Sequence, residues 1–167
     1  MGYKEDAVDN CGKLWENPCF LGITMFIGEY KHTIDTKKRL SLPYKFRREL
    51  GRGVIVTRGF EKCLVVYPKK EWKEVIEELK KLPTSRAESR KFNRVVLGGA
   101  VEVNLDKLGR ILIPDYLKKY AGLKKNITVC GLSNKLEIWD FQKWEIYRKK
   151  AEQDIDKVAE KLPEFGI

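Results

Sequence analysis

Two stretches of this chain carry one signature, and a fixed separation relates them. Asp35-Thr-Lys-Lys-Arg39-Leu-Ser-Leu-Pro43 returns as Asp106-Lys-Leu-Gly-Arg110-Ile-Leu-Ile-Pro114. The offset is 71 for Asp35 and Asp106, for Arg39 and Arg110, for Pro43 and Pro114, and for Gly51 and Gly122. After one inserted residue it becomes 72, pairing Gly59 with Gly131, Leu64 with Leu136, Tyr67 with Trp139 and Trp72 with Trp144. One copy alone, at roughly 45 residues, is too small to bury much of a core. The two copies are therefore expected to fold together by interleaving strands. A polar, basic turn held at the same place in each copy predicts two equivalent binding surfaces, a design for recognising a partner more than for catalysis.

Each copy has the same predicted layout. An alternating strand, Met25 to Ile34 or Gly99 to Leu105, enters the Asp-x-x-x-Arg turn, and a short second strand leaves it, Leu40–Leu42 or Ile111–Ile113. Asp first and Gly fourth, as in Asp106 and Gly109, is the preference of a type I turn; the first copy has Lys38 in the glycine position, which predicts a different or strained turn there. Pro43 and Pro114 are expected at the first position of short helices, and Gly51 and Gly122 as their left-handed caps. A hairpin follows in each, Val54–Thr57 with Leu64–Tyr67 and Ile127–Cys130 with Leu136–Trp139.

Between the copies, Trp72, Val75, Ile76, Leu79 and Leu82 fall on one helical face, and Pro83 ends that helix. Ser85 and Glu88 have the spacing of a capping box for a second helix carrying Phe92, Val95 and Val96. Trp144, Tyr147, Ala151, Ile155, Val158 and Leu162 mark a C-terminal amphipathic helix, read as packing or assembly surface. The resulting divisions are an N-terminal extension at 1–24, a first motif at 25–72, a helical insert at 73–98, a second motif at 99–144 and the C-terminal helix at 145–167.

Charge narrows the partner. The net charge is +10, but residues 1–24 hold two lysines against four acids, so the rest of the chain carries +12. Lys31 to Arg52 alone contains eight basic and two acidic residues, and its counterpart Val103 to Lys125 contains six and two. A basic excess that recurs at matching places points to a polyanion, nucleic acid before membrane. No apolar run approaches the ~18 residues of a membrane span. The four cysteines form no CxxC, and the single histidine, His32, cannot build a zinc site, so no metal and no cofactor are expected. Without a Walker loop, a GxGxxG or a distinctive carboxylate pair, the chain reads as a non-enzyme with no small-molecule substrate, and as cytoplasmic.

Asp35 and Asp106 can organise their turns by accepting backbone amides. Arg39 and Arg110 have two roles open to them, pairing with the Asp across the turn and presenting a planar fork to phosphate or guanine. Both hold together if the Asp orients the Arg. Lys37, Lys38, Lys45, Arg47, Arg48 and Lys107 are the candidates for phosphate contacts, which set affinity and register rather than sequence preference.

At Phe26-Ile-Gly-Glu-Tyr, Asp35-x-x-x-Arg39, Gly59-Phe-Glu-Lys-Cys-Leu and Leu136-Glu-Ile-Trp-Asp140 the chain resembles the MraZ family, over Met25 to about Arg148. The resemblance implies an α+β, β-rich fold in which tandem AbrB-like swapped-hairpin motifs interleave into one pseudo-twofold, barrel-like domain, with the inserted helical pair and C-terminal helix attached. It implies a nucleoid-associated regulator, acting as a repressor on its own division and cell-wall gene cluster. Its DNA contacts would be Arg39 and Arg110, with Lys45, Arg47 and Arg48 beside them, on direct repeats of a TGGG-type box in double-stranded DNA. Direct repeats call for subunits related by translation along DNA, so the resemblance also implies a ring-like homo-oligomer. An RNA-binding or antitoxin-like module is the alternative. Base-stacking aromatics would favour it, and only Tyr30 and Tyr44 lie near the basic stretch.

The acidic first 24 residues have no counterpart in the repeat. Trp15-Glu16 must be encoded as TGGGA, and one codon choice for Asn10 to Asn17 yields CTGTGGGAAA twice in tandem. The expectation is that residues 1–24 are translated operator, poorly ordered, with Met25 the natural start.

Overall fold

The computed structural model describes residues 25–165. The expectations placed on residues 1–24 lie outside the described residues. The first copy comprises strands β1 (Phe26–Thr33) and β2 (Arg39–Ser41), helix α1 (Tyr44–Leu50), and strands β3 (Gly53–Arg58) and β4 (Leu64–Pro68). Helices α2 (Lys69–Lys80) and α3 (Ala87–Val96) follow. The second copy repeats the order as β5 (Val101–Asn104), β6 (Arg110–Leu112), α4 (Asp115–Ala121), β7 (Asn126–Ser133) and β8 (Lys135–Asp140), then α5 (Phe141–Ala159).

Strand pairing joins the copies. Six strands form one antiparallel sheet in the order β1-β7-β8-β4-β3-β5, and β2 pairs with β6 in a separate two-stranded ribbon. β1 of the first copy lies on β7 of the second, and β5 of the second lies on β3 of the first. Exchanging the copies reproduces the same order read backwards. The strand-turn-strand units expected in each copy are therefore not self-paired ladders: β1 and β2 meet only at an isolated bridge between Ile34 and Leu40. The ladder partners of β1 and β5 come from the other copy, whereas β3 with β4 and β7 with β8 pair within their own; the three-residue β2 has too few backbone groups to satisfy the eight-residue β1.

One core serves both copies. Phe46 and Leu50 of α1, and Leu117 and Ala121 of α4, sit four residues apart on one helical face and are buried. They close over Leu40, Ile111, Val54, Val56, Ile127, Val129, Leu136 and Ile138 in a single cluster. Burying each Leu or Ile there contributes about 1.5–3 kcal/mol. The alternation that buries Leu40 and Ile111 sends their neighbours Arg39, Ser41, Arg110 and Leu112 outward. Cys63, Val65, Cys130 and Trp139 form a second cluster, with Tyr67 and Trp144 packed against it.

Several local expectations shift. Pro43 and Pro114 are the N-caps of α1 and α4 rather than their first helical residues. Gly122 is left-handed as expected (φ 63°, ψ 36°), whereas Gly51 has positive φ but an extended ψ of −153°. The capping box at Ser85 and Glu88 does not form: the N-cap of α3 is Arg86, with no side-chain cap hydrogen bond. Instead the Arg90 guanidinium reaches back to the carbonyls of Thr84 and Ser85 at 2.9 and 2.7 Å. The C-terminal helix keeps Trp144 at the sheet but leaves Tyr147, Ile155 and Val158 exposed.

Candidate nucleic-acid interface

The β2–β6 ribbon brings the two Asp-x-x-x-Arg motifs together. Arg39 faces Leu112 and Ser41 faces Arg110 across the ladder. Arg39 and Arg110 are thus diagonal neighbours on the outer face, roughly 7–8 Å apart at the backbone. Where the repeat alone predicts two equivalent surfaces, the fold supplies one composite surface with an arginine from each copy.

Each turn is built the same way. The amide of Lys38 donates to the Asp35 carbonyl at 2.9 Å, and the amide of Gly109 donates to that of Asp106 at 2.9 Å. The Asp35 Oδ1 atom accepts the amides of Lys37 and Arg39, both at 2.9 Å. Asp106 Oδ1 accepts those of Leu108 and Arg110 at 2.9 and 3.0 Å. The other oxygen holds the arginine: Arg39 Nε and Nη2 lie 2.7 Å from Asp35 Oδ2, and Arg110 Nε lies 2.7 Å from Asp106 Oδ2. In each turn one aspartate oxygen accepts the backbone amides while the other pairs with the arginine. Each guanidinium is fixed along one edge, and in Arg110 neither terminal nitrogen is bonded within the described residues.

The bonds set the charge state. The Arg39 side chain is the main cause holding the Asp35 carboxyl below its usual range, and the amide of Arg110 is the main cause for Asp106. Both stay ionised at neutral pH, so each arginine keeps its anchor.

Lys38 and Gly109 share a left-handed backbone, at φ 61° and 71°. The lysine does not change the first turn's shape; it adopts the glycine's conformation at a cost of about 1–2 kcal/mol. The conformation serves the same end in both. The Lys38 carbonyl accepts the amide of Ile113, and the Gly109 carbonyl accepts that of Leu42, each at 3.0 Å. Every turn is thereby tied to the strand end of the other copy.

Two of the candidate phosphate contacts brace this arrangement. Lys38 Nζ bonds Asp115 Oδ2 across the copies at 2.7 Å. Arg47 donates to the Leu42 carbonyl at 2.9 Å and to Ser41 Oγ at 3.0 Å, and lies directly over Gly109. Lys37, Lys45, Arg48 and Lys107 are exposed around the ribbon. Lys45 Nζ stands 5.4 Å from the centroid of the Tyr30 ring, and the Arg47 guanidinium 5.8 Å from that of Tyr44. Ser41, Leu112 and Asp115 were not singled out in the sequence. The two-residue alternation beside Leu40 and Ile111 is the signal that could have found the first two.

The reactive side chains elsewhere are quiet. Burial pushes the Cys63 and Cys130 thiols up to about 12. Burial, with Arg47 nearby, lowers His32 and keeps it neutral. Among the described residues no three His, Cys, Asp or Glu side chains are grouped to hold a metal ion, and no helix is long and apolar enough to cross a membrane.

Fold and site together define a duplicated, strand-interleaved α+β protein with a basic, two-arginine β-ribbon on its surface. The sequence matches the family described as "MraZ protein, putative antitoxin-like" twice, over residues 25–95 and 96–165. A relative from Natranaerobius thermophilus, named Transcriptional regulator MraZ, is 43% identical over 143 residues, which cover 86% of this chain and 100% of that protein. The chain belongs to the MraZ family.

Proposed function

We propose that this chain is a sequence-specific DNA-binding transcriptional regulator that represses its own division and cell-wall gene cluster from the nucleoid. The observation that carries the reading is the outer face of the β2–β6 ribbon, with its two aspartate-anchored arginines on adjacent strands. A two-stranded ribbon is of a width that the major groove admits, and an arginine fork matches the O6 and N7 acceptors of guanine. Anchoring one edge of each guanidinium lowers the entropy lost on docking. Lys37, Lys45, Arg48 and Lys107 contact flanking phosphates, while Lys38 and Arg47 act mainly by holding the turns. The interleaved strands support the swapped-hairpin description of the fold. The name of the 43% identical relative supports the regulatory role.

Since both motifs share one ribbon, one chain reads one TGGG-type box, and successive chains of a ring-like oligomer read successive direct repeats. The experiment is a binding titration on the gene's own upstream DNA, with and without the boxes, at two salt concentrations. Arg39→Ala or Arg110→Ala should weaken boxed-DNA binding by ~1–3 kcal/mol and blunt the preference for guanine. Lys45→Ala should weaken all sequences alike and reduce the salt slope by about 1. Unchanged binding in both arginine variants would refute the assignment. Stronger binding to a competing RNA than to boxed duplex would support the RNA-binding or antitoxin-like alternative in its place.

A further inference from the structure

The first half of the molecule has an open space that its own internal repeat shows how to fill. A cavity of about 480 Å3 lies between α2, α3 and the sheet at β3, β4 and β8. Its walls are mostly apolar, including Phe60, Val65, Val75, Leu79 and Val96. None of the outward ribbon residues lines it. Its size falls within the roughly 300–1,000 Å3 of small-molecule sites.

The 72-residue offset permits a comparison within one chain. It pairs Tyr67 with Trp139, Trp72 with Trp144 and Val75 with Tyr147. In the second copy the three aromatic rings pack together, Trp139 standing 5.5 Å from Trp144 and 5.0 Å from Tyr147. In the first copy Tyr67 and Trp72 keep their contact at 5.5 Å, but Val75 takes the place of the third ring. A branched aliphatic leaves the volume of that ring empty. The first copy then adds α3, which has no counterpart after α5 among the described residues, as an outer wall.

The mouth of the cavity has its own chemistry. Phe60 and Phe92 stack at 6.1 Å to form one lip, 68% and 37% exposed, an arrangement that leaves apolar area in water until something covers it. Arg58, Lys91 and Lys135 stand among the lining residues, opposed by Glu88 and Glu137. Glu137 already accepts the indole N–H of Trp139 at 3.0 Å. None of the three cations forms an ion pair with a described carboxylate. The Arg58 guanidinium is held over the Tyr116 and Tyr120 rings at 5.8 and 5.6 Å.

We propose that this cavity is a binding site for a small amphipathic acid, whose apolar body occupies the space left by Val75 and whose anionic head meets Lys91, Lys135 and Arg58. The apolar walls supply the affinity and the cations select the charge. This goes beyond DNA recognition and does not depend on it, since the ribbon and the cavity use different side chains.

The test uses two fluorescent probes with the same body, the anionic 1-anilinonaphthalene-8-sulfonate and the neutral N-phenyl-1-naphthylamine, titrated against the full chain. The sulfonate should saturate at one per chain and bind about tenfold more tightly than the neutral probe. Lys91→Glu combined with Lys135→Glu should remove that preference while leaving the neutral probe bound. Val75→Tyr copies the side chain of the second copy and should abolish binding of both probes; circular dichroism reports whether it folds, and Leu79→Phe takes its place if it does not. Parental binding in the folded cavity-filled variant overturns the proposal, as does equal affinity for the two probes. Probe binding per chain that rises on dilution also overturns it, because that outcome identifies a second copy as the natural cover of the groove.

Discussion

Gly109→Ala tests how the two turns are held against each other. Gly109 has φ 71°, a conformation that costs an alanine about 1–2 kcal/mol. The larger effect is steric. A Cβ at this position would fall on the Nε, Cδ and Cζ atoms of Arg47. The guanidinium must leave, and with it go its hydrogen bonds to the Leu42 carbonyl and to Ser41 Oγ, at 2.9 and 3.0 Å. Each is worth about 0.5–1.5 kcal/mol. The total is a destabilisation of about 2–5 kcal/mol, a large part of the ~5–15 kcal/mol that holds a domain folded. Urea denaturation at one fixed protein concentration measures it, since self-association would otherwise shift the midpoint. A double-mutant cycle is the sharper test. In an Arg47→Ala background the collision is absent, so Gly109→Ala should cost only the backbone contribution of about 1–2 kcal/mol. Equal costs in the two backgrounds would refute the argument that Arg47 and Gly109 are coupled.

The same arginine lowers the pKa of His32, after burial as the larger cause. Arg47→Ala should therefore raise the His32 pKa part of the way towards 6.5, a change that NMR can follow without ambiguity because the chain has one histidine. Asp35 and Asp106 both titrate below the ordinary 3.8. A depressed carboxylate contributes stability that is complete above its unfolded value and is lost as pH falls through its folded one. The amide resonances of Lys37, Arg39, Leu108 and Arg110 should accordingly shift only below pH 3.8, and midpoints at or above that value would contradict the turn geometry. With thiols pushed up to about 12, Cys63 and Cys130 should resist iodoacetamide at neutral pH in the native protein and react once it is unfolded, as peptide mapping can read.

What the sequence made legible is what local chemistry decides. The strands, the helices behind Pro43 and Pro114, and the aspartate-organised turns all follow from side-chain period and from residues that prefer one local geometry. Which strand lies beside which was not legible in the same way. The small size of one copy already called for the two to fold together, but it did not say which strand of one lies beside which strand of the other. β1 on β7 and β2 on β6 are choices between partners of similar apolar pattern, settled only when one core has to be closed by both copies. Lys38 illustrates the consequence. As a lone residue in a glycine position it predicted an irregular turn, because the propensity of one residue was weighed without the bonds around it. In the fold its left-handed backbone positions a carbonyl for Ile113 and an ammonium for Asp115, both from the other copy. Those cross-copy bonds offset the strain. The same logic explains why the two motifs differ where they do: a lysine is useful at 38 because it reaches the second copy, and a glycine is needed at 109 because Arg47 of the first copy lies over it. The asymmetry between the copies is thus a requirement of joining them into one ribbon, and substituting Lys38 with glycine would relieve the strain only by giving up the bond to Asp115.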